Sequence, residues 1–174
     1  EAGARAGMIA PDKTTCSWLK GRKFVPQGND WNTVIADWKT LKSDEGAIFD
    51  KTVHLDAHTI KPMVTYGTNP AMGVSVDMKV PAADQKALDY MGMKEGQDMI
   101  GTKIDVSFIG SCTNSRLSDL QDAATILRGR TVAPHVRMLI VPRSQTIKKE
   151  AEALGLDKVF IDAGAEWRES GCSM

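Results

Sequence analysis

This 174-residue chain has no net charge, because 22 basic and 22 acidic residues cancel, and no basic run stands out. Nucleic acids and anionic membranes both require a concentrated positive face, so neither is expected as a partner. It has no apolar stretch of membrane-spanning length, and no signal-peptide pattern opens it. Cysteine is scarce, with Cys16, Cys112 and Cys172 far apart. A secreted disulfide framework needs an even, dense set, so reduced thiols in the cytoplasm are expected. Internal repeats and low-complexity tracts are also missing. What remains is ordinary for a globular protein: 42% apolar and 25% charged residues, enough for one core or parts of two smaller ones. The chain opens on Glu1 in small-residue helical sequence up to Gly7 and stops at Gly171-Cys172-Ser173-Met174. Both ends read as cut, so an internal fragment is expected.

The second half has the clearer rhythm. Ile104, Val106 and Phe108 alternate with polar or small residues, which predicts a strand. After Gly110 and a Ser-Cys-Thr-Asn-Ser turn, Leu117, Leu120, Ala124 and Leu127 recur at helical steps up to Gly129. Val136–Val141 reads as a second strand stopped by Pro142. Ser144 can cap a further helix that carries Ile147, Ala151 and Leu154 and stops at Gly155, and Val159–Ile161 reads as a third strand. Strand, helix, strand, helix, strand at these lengths predicts parallel βαβ units, hence an α/β fold.

The first half is more mixed. Asp12 or Thr14 can cap one helix. Asp30 can cap another, whose Trp31, Val34, Ile35, Trp38 and Leu41 share a stripe. Val53, Leu55 and Ala57 alternate with polar residues and predict a strand. Prolines and glycines between Thr68 and Gly101 surround one short helix, Ala82 to Met91, and place a boundary between structural units there.

Ligands of an open parallel sheet gather beyond the carboxyl ends of its strands. Those ends here carry Gly110–Ser115, Pro142–Ser144, and Asp162–Gly164 running on to Cys172. A parallel sheet would therefore bring Cys112 and Cys172 to one edge, although 60 positions separate them. Cys112 also precedes a helix, where free N–H groups favour a thiolate or anionic centre, and Thr113, Asn114 and Ser115 are candidate caps for that helix. His54 and His58 are spaced i, i+4, a metal-compatible step on a helix, but the local pattern is strand-like and predicts solvent-facing or structural roles. Cys16 is expected to pack, and Lys148-Lys149 to form a solvated helix face.

Phe108-Ile109-Gly110-Ser111-Cys112-Thr113-Asn114-Ser115-Arg116 resembles the first cluster-ligand motif of the aconitase superfamily. Ala163 to Met174, ending Gly171-Cys172-Ser173-Met174, resembles the approach to the second. Tyr66-Gly67-Thr68-Asn69-Pro70 and Asp44-Glu45-Gly46-Ala47 are similar to strings of its isopropylmalate branch, and the resemblance runs over essentially the whole chain. Ser170 stands where that pattern has proline, and Arg143 where it has glycine.

The resemblance implies a three-layer α/β/α architecture with a mainly parallel sheet, present as partial domains. Residues 1–75 would be the C-terminal part of one aconitase-type unit, 76–100 a connecting segment, and 101–174 the start of the cluster-bearing unit. It implies a hydro-lyase large subunit that interconverts 2-isopropylmalate and 3-isopropylmalate by dehydration and rehydration in leucine biosynthesis. A small subunit would be its partner and would supply the serine base. Three cysteines of the family hold a [4Fe–4S] cluster with one iron open to substrate. Cys112 and Cys172 match the first and second ligands, and the third would follow Met174. Glu1 matches a family glutamate that hydrogen-bonds near the iron-bound oxygen, without the Asn-Met that precedes it in the motif. With two of three thiolates, the isolated chain is expected to lack the cluster and to be inert. Homoaconitase and citramalate or methylmalate dehydratases share these motifs, and a non-catalytic scaffold or interaction fragment is the rival of a different class.

Overall fold

The structure, a computed structural model, describes residues 5–83 and 85–172. It divides into two compact units, Glu1–Thr59 and Ile60–Met174. Most of the helical opening expected before Gly7 lies outside the described residues.

In the first unit, Asp12 starts α1 (Lys13–Leu19) by accepting the Thr15 N–H at 2.7 Å, satisfying one of the donors a helix start leaves unpaired. Helix α2 spans Asn29–Trp38. Gly28, at φ 62°, occupies its N-cap, and Asp30 sits inside the first turn rather than capping it. The expected stripe is present, with Trp31, Val34, Ile35 and Trp38 half-buried between exposed neighbours, while Leu41 lies beyond the helix and is exposed. Trp31 and Trp38 meet edge to face at 6.2 Å. No described residue of this unit is fully buried.

The strand expected around Val53, Leu55 and Ala57 does not form. Residues 51–56 have no regular structure, Ala57–Thr59 is a turn of 3-10 helix, and Val53 and Leu55 are exposed. Alternation gives a strand only when its N–H and C=O groups find a partner strand, and the described residues of this unit contain none.

The second unit begins with an antiparallel pair, β1 (Met63–Thr65) and β2 (Gly73–Ser75), followed by α3 (Gln85–Met91). Tyr66, Val74, Val80 and Leu88 form their shared core. Helix α3 starts later than the Ala82 expected from sequence.

The parallel sheet follows. Strand β3 (Val106–Ile109) leads through α4 (Leu117–Leu127) to β4 (Arg137–Ile140), and the chain passes through α5 (Gln145–Ala153) and α6 (Leu156–Asp162) to β5 (Glu166–Trp167). The order is β3-β4-β5, all parallel, with β4 in the middle. Ser144 caps α5 by accepting the Ile147 N–H at 3.2 Å, and Gly155 ends it in the left-handed region at φ 69°, as the sequence predicts.

The third strand is the main correction. Val159–Ile161 is helical, inside α6, and strand pairing passes to Glu166–Trp167. The β-branched and aromatic residues read locally as a strand, but Leu156, Phe160 and Ala163 recur at helical steps and are all buried. Phe160 is fully buried and stacks on Trp167 at 5.8 Å, so the strand that follows holds the helix that precedes it. In consequence Asp162–Gly164 lies ahead of β5, and the carboxyl edge is reached only at Arg168.

Leu120 and Ala124 of α4, Ala151 of α5, Leu156 and Phe160 of α6, and Met138 and Ile140 of β4 share one core. All three helices therefore lie on one face of the sheet. Burying side chains the size of Phe160 or Leu120 contributes about 1.5–3 kcal/mol each. On the opposite face Val106 and Phe108 are exposed, and Arg137 and Glu166 pair across strands at 2.6 Å. The α/β fold with a parallel sheet is as expected, and of the three layers two are present among the described residues. No helix among them is long and apolar enough to cross a membrane.

Candidate functional site

Because β3, β4 and β5 run the same way, the segments that leave them emerge at one edge. Backbone hydrogen bonds knit that rim: Val141 N–H to Ile109 C=O at 2.8 Å, Arg143 N–H to Ser115 C=O at 3.2 Å, and Arg168 N–H to Ile140 C=O at 2.9 Å. Cys112 is the third residue beyond β3 and Cys172 the fifth beyond β5, and both thiols are free and exposed. Strands flanking a common neighbour lie about 10 Å apart. The two cysteine-bearing segments thus leave the same edge of one short sheet.

Several features shape the Cys112 loop. A Cβ built on Gly110 would come within 2.6 Å of the Phe108 ring and 3.0 Å of the Val141 Cβ, so only glycine fits there without rearrangement. The side-chain hydrogen bond from Thr113, then that from Ser111, holds the Cys112 thiol below the ordinary thiol range, favouring the thiolate. Thr113 Oγ1 lies 4.0 Å from the sulfur. The loop runs into the start of α4, where the helix dipole adds a favourable field for negative charge.

Capping differs from expectation. The Arg116 N–H donates to Asp119 Oδ2 at 2.9 Å, so Asp119 serves the start of α4 and none of Thr113, Asn114 or Ser115 takes the N-cap position. Ser115 instead turns the chain, at φ 56°, and is fully buried with its hydroxyl oxygen lacking a hydrogen-bond partner.

The sequence reading missed what holds the Cys172 segment. Lys148, expected on a solvated face, has a side chain only 14% exposed and forms ion pairs with Glu169 and, at 3.7 Å, with Glu152. Gln145 donates to Glu169 at 3.5 Å, and Trp167 Nε1–H donates to Glu152 at 3.0 Å. Lys149 is exposed as expected. The i, i+3, i+7 spacing of Gln145, Lys148 and Glu152 was a visible sign of one polar face. That the face meets residues beyond β5 required the fold.

Other candidates are placed elsewhere. Glu1 lies outside the described residues. Cys16 is half-buried on α1 in the first unit. His54 and His58 are exposed, and His58 Nδ1 sits 3.0 Å from Asp56 Oδ1, a local pair rather than a joint metal site.

Among the described residues, no group of three or more His, Cys, Asp or Glu side chains is arranged to hold a metal ion. The donors at the rim are soft thiols, the type that iron–sulfur groups take, and an orphaned buried hydroxyl, Ser115, lies in the loop beside one of them. The described residues therefore fit such a group in kind.

The family model described as "Aconitase family (aconitate hydratase)" matches residues 1–174. A "3-isopropylmalate dehydratase large subunit" from Roseiflexus castenholzii (strain DSM 13941 / HLO8) is 53% identical over 184 residues, covering 99% of this chain and 39% of the relative. One of the same name from Corynebacterium glutamicum (strain R) is 53% identical over 185 residues, covering 100% of this chain and 38% of the relative. The chain thus spans less than half the length of these relatives. With the match running from the first residue to the last, the chain belongs to the aconitase family.

Proposed function

We propose that this chain is the cluster-bearing segment of a 3-isopropylmalate dehydratase large subunit, a cytoplasmic hydro-lyase of leucine biosynthesis. The observation that carries the reading is the emergence of the Cys112 and Cys172 segments at one rim of a parallel sheet. The two relatives at 53% identity support the choice of substrate, 2-isopropylmalate and 3-isopropylmalate, and of a small subunit as partner.

Cys112 and Cys172 would hold two irons of a [4Fe–4S] group. When bound, that group supplies an iron open to the hydroxyl and a carboxylate of the hydroxy acid, a Lewis acid that makes hydroxide a better leaving group. This chain's residues prepare the site. The hydrogen bond from Thr113, then that from Ser111, shifts the Cys112 thiol toward the thiolate that a metal takes. The bond from Arg143 N–H to Ser115 C=O ties the Cys112 loop to the loop beyond β4, so the thiol sits on a braced turn. The base that takes the carbon-bound proton would come from the small subunit.

The test uses a longer polypeptide that carries this segment, paired with a small subunit and reconstituted anaerobically with iron and sulfide. Cys112→Ser and Cys172→Ser should each reduce isopropylmalate interconversion by more than the roughly 100-fold that loss of an outer-shell partner can cost. Full turnover with either serine would overturn the assignment. The 174-residue chain alone should take up less than a stoichiometric cluster and show no turnover. A full cluster absorbance with activity from this chain alone would refute that expectation.

A further inference from the structure

A ligand pair drawn from two strands is only as well spaced as the segments that deliver it. Cys112 comes from a braced turn, but Cys172 is exposed and lies beyond the last strand pairing. What grips the chain just before Cys172 is α5. Its Gln145, Lys148 and Glu152 lie one above another at i, i+3 and i+7. Helix α5 runs away from the rim while β5 runs toward it, so the contacts follow in reverse order: Glu152 takes Trp167, inside the strand, and Lys148 and Gln145 take Glu169, beyond it. Lys148 lies between two carboxylates with little of its side chain exposed.

We propose that this face of α5 is the positioning element for Cys172, setting where the segment leaves the rim and hence how the two thiols are spaced. The proposal rests on reading Cys112 and Cys172 as co-ligands. Three residues from Glu169 to Cys172 reach at most about 10 Å, close to the roughly 10 Å between β3 and β5. An anchor at Glu169 therefore leaves the thiol little more reach than it needs to meet its partner. Releasing that anchor moves the last fixed point back to Arg168, whose N–H is bonded to Ile140 C=O, so the free segment lengthens by one residue and the positions Cys172 samples spread, which lowers its effective concentration at Cys112. Consistent with the geometry, Glu169 is held below the ordinary carboxylate range by Lys148 and then Gln145, and Lys148 is held above the ordinary lysine range by Glu169.

The experiment reads thiol spacing directly, without cluster or activity. In the chain carrying Cys16→Ser, dibromobimane becomes fluorescent when it alkylates both remaining thiols. The rate of that second alkylation reports how often Cys172 visits Cys112. Lys148→Ala and Glu169→Gln should each slow it roughly threefold, the scale of an exposed ion pair. Lys148→Arg, which keeps the charge between Glu169 and Glu152, should restore it. Urea unfolding of each variant identifies any that fail to fold. Should Lys148→Ala be one of them, Glu169→Gln, at an exposed side chain, decides the matter. Unchanged double alkylation in folded variants would overturn the positioning role. Absence of double alkylation in the starting chain would instead overturn the pairing of the two cysteines on which it rests.

Discussion

The unit Glu1–Thr59 and the β3–β5 region are built from comparable sequence signals and reach different states of burial. Both contain helices with apolar stripes at helical spacing, α2 in one and α4 in the other. Yet the stripe of α2 ends half-buried, whereas Leu120 and Ala124 of α4 are fully covered. The difference is what each stripe meets. Helix α4 packs on a sheet and on two further helices that share one core, while the first unit has no sheet among its described residues. An amphipathic pattern makes a helix possible, and the opposing surface makes it stable.

The largest expected effect sharpens that contrast. Phe160→Ala removes a ring that is fully buried and stacked on Trp167. It should lower stability by about 3–5 kcal/mol, read from urea unfolding. Trp31→Ala removes a half-buried ring with one aromatic neighbour, and about 1 kcal/mol should be lost. Equal losses would mean the two regions are not differently packed. Between these falls Gly110→Ala, whose methyl would meet the Phe108 ring and Val141. Overpacking of that kind costs about 1–3 kcal/mol, and the same variant should slow the double alkylation of Cys112 and Cys172.

The smallest effect concerns pH, and its direction follows from which partners each carboxylate has. In the first unit, Asp12 and Asp56 are held below the ordinary range by hydrogen bonds to residues two or three positions away. In the sheet region, Glu166 is held low by Arg137, 29 positions distant, and also by Arg168. A carboxylate with a depressed folded value adds stability that is fully present above its unfolded value, near 4.5 for Glu166. That stability is lost as pH falls through the lower, folded value. Acidification from about pH 5 downward should therefore weaken the cross-strand tie, and Arg137→Gln should flatten the acid dependence of the urea midpoint. An unchanged profile would show that the pair contributes nothing measurable.

Legibility in the sequence also divides by region. The β3–α4–β4–α5 succession was readable because each element carries its own period and its own stop, Gly129, Pro142 and Gly155 among them. The place of Cys112 between a strand and a helix was readable because the alternation before it and the helical steps after it are both clear. Other features were not, three of them inside single elements or turns. Val159–Ile161 has strand-like residues but is helical, since burial of Leu156 and Phe160 outweighs local preference. Val53 to Ala57 alternates and yet forms no strand. Asp119, rather than the Thr-Asn-Ser run, serves the start of α4.

By itself, the amino-acid order determined the family, the place of Cys112 between a strand and a helix, and most helices and strands, because periodicity, caps and stops act over a few neighbouring positions. Only the tertiary structure decided where the last strand lies, at Glu166–Trp167 rather than Val159–Ile161, and that α5 meets Glu169 beyond it. Those depend on surfaces far apart in the chain coming to cover one another, and a short window of sequence does not carry that information.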